Sequence, residues 1–368
     1  MTFDALFVPA ALRAAVSDEA WLDAMLQAER ALAAAQGVEV DLGSGFQVEQ
    51  LVEEGRRVGN PVEPLVRRLR ERAPEVHRGA TSQDILDTAA ALVARDAGEL
   101  IDAELDGVAR ACSRLADEHR ATVMAGRTLL QQAVPITFGL KAAGWLVGIV
   151  HARERLAAAK LPAQLGGAAG TLAAFGDDGE RVLRAYAQEL DLQEPVIPWH
   201  TRRLPVAELG AALSVAAGFV GKIALDLALL AQTEVGEVRE APDGGSSTMP
   251  HKRNPVGSTL ARACAVRAQA AAGVLLAALG QEHERAAGAW HAEWGALSDA
   301  LALTGGAAAC LREALEGLEV DAERMRANIS DETLSEAQRF GIDAARPEDY
   351  VGSSDAFVDR ALAFYRDR

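Results

Sequence analysis

The chain is poor in the residues that would announce several common functions. Its 368 residues include three cysteines, Cys112, Cys264 and Cys310, widely spaced and without a CxxC pair. That argues against a disulfide framework or a cysteine-based metal site and reads as small buried hydrophobes in a reducing compartment. Positive charge is in deficit, 37 Lys+Arg against 53 Asp+Glu, for a formal charge of −16, which argues against an extended nucleic-acid or anionic-membrane surface. Aromatic residues make up only 5%, and alternating Val/Ile/Thr runs are rare, so strand signals are weak. There is no P-loop spacing, internal repeat or low-complexity tail, and His119, His151, His283 and His291 lack metal-ligand spacing. The first residues carry no basic leader before an apolar run, so a soluble, cytoplasmic protein is expected. The most apolar stretch, 206–232, is interrupted by Glu208, Lys222 and Asp226 and suits a helix buried in an assembly better than a membrane span.

Proline is missing from three long intervals, between Pro74 and Pro135, Pro205 and Pro242, and Pro255 and Pro347. These intervals are rich in Ala, Leu, Glu and Arg, the strongest helix formers, and predict an all-α long-helix bundle. Helices are expected over 18–37, 47–72, 84–119, 131–160, 204–238, 257–282 and 288–317, with an extended segment at 120–128. The expected division is an N-terminal helical domain to residue 83, a central bundle over 84–320 and a short C-terminal helical region over 321–368. A helix such as AALSVAAGFVGKIALDLALL is apolar on most faces and needs partners all round, so oligomerisation through the long helices is expected.

One segment interrupts this helical pattern with chemistry. Residues 239–257, REAPDGGSSTMPHKRNPVG, combine the hinge-like Gly244 and Gly245 with Ser246, Ser247, Thr248, His251, Lys252, Arg253 and Asn254. A solvated connection and a lid closing over an anion both fit that composition. The segment GSSTMPHKRNP at 245–255 closely resembles the signature loop of the fumarase/aspartase superfamily. HRGATSQD at 77–84 resembles the superfamily's first substrate loop, and GRTLLQ at 126–131 its second, with Leu129 where the lyases usually carry a histidine. PWHT at 198–201 and QEHERAAGAW at 281–290, continuing to Glu293 and Trp294, resemble the branch of cycloisomerases that act on 3-carboxy-cis,cis-muconate.

The resemblance implies a homotetramer of long helices, with each active site assembled from three subunits and a C-terminal third domain shorter than usual. It implies a small tricarboxylate substrate, lactonised through an aci-carboxylate dianion, with no metal or organic cofactor required and no nucleic acid or membrane partner. Ser246 is the implied proton donor and acceptor, with Ser247 suited to capping. Lys252 and Arg285 are the implied cations; a surface ion pair of Arg285 with Glu282 or Glu284 is the plainer alternative. Asn254, Arg127, Thr128, Gln131, Thr81, Ser82 and Gln83 are implied substrate-binding residues, with His77 and His200 facing the site. Ser82 and Asp84 could equally cap the helix that follows them. A fumarate-releasing lyase of the adenylosuccinate or argininosuccinate type is the competing activity, and a non-catalytic structural tetramer the competing class.

Overall fold

The computed structural model describes residues 3–241, 245, 248–249 and 252–368. Short helices α1 (Ala10–Ala15), α2 (Asp18–Ala35), α3 (Val48–Gly55) and α4 (Val62–Arg70) lead into α5 (Ser82–Glu118). A hairpin of β1 (Val123–Thr128) and β2 (Gln131–Thr137) precedes α6 (Phe138–Ala158) and α7 (Gly179–Glu189). Next come α8 (Leu204–Leu230), the short strand β3 (Val238–Arg239), α9 (Val256–Ala277) and α10 (Ala289–Glu316). The chain continues through β4 (Glu319–Val320), α11 (Ala322–Ala327), α12 (Ser335–Phe340) and α13 (Ser354–Arg366).

Helices α5, α6, α8, α9 and α10 pack on one another as the central bundle, and α13 folds back against α6. Trp145, Ile101, Leu105, Leu213, Ile223 and Leu311 are among its fully buried side chains. Small residues let α8 and α9 come close: a Cβ on Gly221 would sit 2.9 Å from the Ala265 methyl carbon. By length and composition α8 and α9 could each cross a membrane, but here they pack against each other in the bundle. Part of their surface is uncovered, with Val215, Leu225, Val266 and Val274 exposed.

The all-α reading holds, with differences at several element ends. The helix expected over 47–72 is broken between α3 and α4, where Gly59 takes a positive φ and the Asn60 side chain accepts from the Val62 and Glu63 amides. Residues 131–137 are strand, not helix: Pro135, Ile136 and Thr137 belong to a ladder in which Thr128 pairs with Gln131. Leu129 and Leu130, both at positive φ, make its two-residue turn. Helix α8 stops at Leu230, and Val238 and Arg239 pair with Val320 and Glu319.

The bundle defines two poles. The starts of α5, α8 and α10 share the upper pole with the end of α9. The ends of α5, α8 and α10 share the lower pole with the hairpin and the start of α9. At 1.5 Å per residue, α8 alone separates them by about 40 Å.

Candidate active site

The upper pole is built around two aspartates one turn apart on α5. Asp84 Oδ1 lies 2.6 Å from His200 Nε2 and accepts from the Gly166 amide at 2.8 Å. Its Oδ2 accepts from the amides of Gly167 and Thr81, both at 2.9 Å. Asp87 accepts from Arg203 at 2.7 and 3.0 Å and from the Trp290 indole at 2.9 Å. Arg203 also binds Glu293 and lies 4.6 Å from the Trp199 ring centre. Arg203, Asp87 and Glu293 are all nearly inaccessible. Burial pushes the Glu293 carboxyl above its ordinary range, with Arg203 pulling the other way. Burial opposes the Arg203 cation, yet its two carboxylates outweigh that and raise its pKa.

This buried network fastens three segments to the start of α5: residues 198–203, residues 281–294 and the loop at 164–168. On it sits Arg285, donating to the Thr81 hydroxyl at 2.9 Å, the Gln83 amide oxygen at 3.3 Å and the Ala168 carbonyl at 3.2 Å. Its hydrogen bonds go to these neutral groups rather than to Glu282 or Glu284. Gln83 is fully buried, its amide nitrogen donating to the His200 carbonyl at 2.8 Å and to Asp87 at 3.1 Å. Ser82 opens α5 and is half-buried. His77 is mostly buried, its Nδ1 2.7 Å from Glu29 Oε1.

The lower pole is more open. Thr128, Leu129, Leu130 and Gln131 are exposed at the hairpin tip, Leu129 with 96% of its surface accessible. Arg127, by contrast, is held in a two-pronged pair with buried Glu237, at 2.5 and 3.0 Å, and Asn328 shares the same carboxylate at 2.9 Å. Lys252 and Asn254 line a cavity of about 1150 Å³ with Gln232, Arg239, Glu319 and Asp321. Glu240 caps α9 from the near side of the signature loop, accepting from the Gly257 amide at 2.9 Å, the Ser258 amide at 3.1 Å and the Ser258 hydroxyl. Lys141 is half-buried nearby; burial lowers its pKa, and Asp226 and Glu237 only partly offset this.

Ser246, Ser247 and His251 lie outside the described residues. Of the expected site residues, His77, Thr81, Ser82, Gln83, His200 and Arg285 gather at the upper pole, and Arg127, Thr128, Gln131, Lys252 and Asn254 at the lower. One chain does not bring the two sets together. Sequence reading missed Glu29, Asp87, Arg203, Glu237, Glu240 and Glu293 as their supports. Asp87 had a signal, a charge inside the apolar run ILDTAAALV; Glu29 sits in a helix with nothing to mark it.

Residues 12–270 match the family described as Lyase, so the chain belongs to that family, within the fumarase/aspartase superfamily. Among its relatives, a nitrosuccinate lyase from Streptomyces davaonensis is 50% identical, the alignment covering 86% of this chain and 74% of the relative. A 3-carboxy-cis,cis-muconate cycloisomerase from Bradyrhizobium diazoefficiens is 44% identical over 94% of this chain and 82% of its own length. The crystal structure of the 3-carboxy-cis,cis-muconate lactonizing enzyme from Pseudomonas putida superposes with a TM-score of 0.90 at 35% identity, covering 100% of this chain and 99% of the other.

Proposed function

We propose that the protein is a cytoplasmic cycloisomerase that interconverts 3-carboxy-cis,cis-muconate and 4-carboxymuconolactone in protocatechuate catabolism. The observation that carries this reading is Arg285, a planar fork seated on Thr81 and Gln83 beside the start of α5. In the lactonising direction a carboxylate oxygen of the substrate adds to its conjugated double bond, and a proton is delivered to the carbon alpha to another carboxylate. Charge passes through an aci-carboxylate, which Arg285 and Lys252 stabilise. Ser246, which matches the first serine of the superfamily's signature loop, carries the proton. Thr81, Ser82, Thr128, Gln131 and Asn254 complete the carboxylate-binding surface, with His200 buried behind it against Asp84. Arg127 and Gln83 work from behind it, their polar groups already engaged within the chain.

The working enzyme is a homotetramer in which the upper pole of one copy meets lower poles of others. Two features support this: the site residues are divided between ends about 40 Å apart, and α8 and α9 carry exposed apolar residues. Loss of the ultraviolet absorbance of 3-carboxy-cis,cis-muconate on incubation with the protein tests the activity. The 50% identity to a nitrosuccinate lyase favours a second reading, β-elimination from a substituted succinate. Nitrosuccinate, with fumarate and nitrite measured, is the deciding substrate. Turnover of it with no loss of the muconate signal would replace the first reading by the second. Succinyl substrates assayed for fumarate cover the adenylosuccinate- and argininosuccinate-type lyases.

A further inference from the structure

The mechanism above leaves one buried carboxylate unexplained. Glu29, on α2, is fully buried, and its Oε2 meets no hydrogen-bond partner among the described residues. Its other oxygen sits 2.7 Å from His77 Nδ1. Burying a carboxylate with one partner is expensive, and an apolar residue of similar size would pack there at lower cost. The group therefore contributes little to the fold. What it contacts is the first residue of the substrate loop. His77 has φ 59°, a left-handed conformation for a non-glycine residue. The residue just past the end of α2 also ties down the next one, since the Gln36 side chain donates to the Arg78 carbonyl at 3.4 Å.

We propose that Glu29 is a positioning residue: it holds the His77 ring through Nδ1 and leaves Nε2 as the ring nitrogen that meets the substrate at the upper pole. The inference rests on the proposed location of the active site but not on the choice between lactonisation and elimination. A carboxylate oxygen accepts, so the Nδ1 proton is held and the ring cannot flip without losing its partner. The arrangement orients a site residue from within the core of the same chain, so it survives whatever the partner copies do.

The test compares Glu29→Leu and Glu29→Gln in the full-length protein, using whichever substrate the wild type turns over. Glu29→Leu, with no acceptor, is expected to lower kcat/KM roughly 10–100-fold, the scale of a misplaced site group, without lowering Tm. Glu29→Gln keeps an acceptor oxygen and is expected to recover most of the loss. In a His77→Ala background, Glu29→Leu is expected to have little further effect. Should the leucine variant fail to fold, Glu29→Met serves the same arm. A folded leucine or methionine variant with wild-type kcat/KM overturns the inference, as does an undiminished effect in the His77→Ala background. A readout without substrate separates this from any failure of the functional reading. The wild type should show a downfield, slowly exchanging His77 Nδ1 proton by NMR, kept in Glu29→Gln and lost in Glu29→Leu. Its absence from the wild type also overturns the inference.

Discussion

The two poles of the bundle use charge in opposite ways. At the upper pole Asp84, Asp87, Arg203 and Glu293 are buried and bonded to one another or to backbone amides, so the segments bearing His200 and Arg285 are held before any partner arrives. At the lower pole Lys252, Thr128 and Gln131 are exposed around an open cavity and a hairpin tipped with solvent-facing leucines. One end is preorganised within the chain; the other, in the proposed tetramer, is finished by assembly. Binding groups fixed by their own core spend little free energy on ordering, whereas a loop that closes over the substrate can exclude water and complete the site late.

The largest effect should come from separating the poles genetically. Lys252→Met should cut kcat roughly 10²–10³-fold, the scale of removing one oriented stabiliser of the developing charge. Arg285→Ala is damaged at the opposite end. Mixing the two after subunit exchange should restore partial activity, because some sites then draw an intact pole from each parent. No recovery after verified exchange would break the comparison.

Stability should respond most at the upper pole. Asp87→Ala leaves Arg203 and the Trp290 indole short of a partner and should cost about 3–5 kcal/mol, read by urea denaturation. A loss under 1 kcal/mol, on the scale of exposed ion pairs, would mean that this network is not what holds the pole.

Arg285→Lys keeps the charge but not the fork. It should lose on the order of 1.5–3 kcal/mol of transition-state stabilisation in kcat/KM, with the circular dichroism spectrum unchanged. Wild-type kinetics would return Arg285 to a surface role.

The smallest effect concerns Lys141. Its folded pKa is depressed by burial, so the charged form is penalised in the native state. The penalty is complete below the folded pKa and vanishes as pH rises through the unfolded value. Lys141→Met should therefore raise Tm modestly at pH 7, with the gain shrinking as the pH approaches the unfolded value of 10.5. A gain that does not vary between pH 7 and pH 10.5 would assign the effect to packing instead of charge.

Much of the helical architecture was legible because proline-free, alanine- and leucine-rich intervals leave the chain few alternatives. The hairpin was not, since its turn carries two leucines at positive φ where Asn-Gly is the usual signal. Motif spacing located the segments that could touch substrate, and the structure sorts the described ones into two ends of a bundle. It could not say which side chains are spoken for inside the chain. Arg127 reads as an available cation until Glu237 is seen against it, and Gln83 as an available amide until His200 and Asp87 are. Asp87 is one turn from Gln83 on α5, but Glu237 is 110 residues from Arg127 and His200 is 117 from Gln83, and no local pattern encodes those two.

The cap that Glu240 places on α9 has a consequence for hydrogen exchange. The signature loop leaves the bundle at residue 241 and returns at 256, and one carboxylate holds the first amides beyond it, those of Gly257 and Ser258. Those amides would otherwise belong to the frayed first turn of a helix. With Glu240 in place they should be protected nearly as well as the interior of α9, giving an abrupt boundary in exchange rate between the loop and the helix. The start of α9 is then held from within the chain, whatever happens between residues 241 and 256.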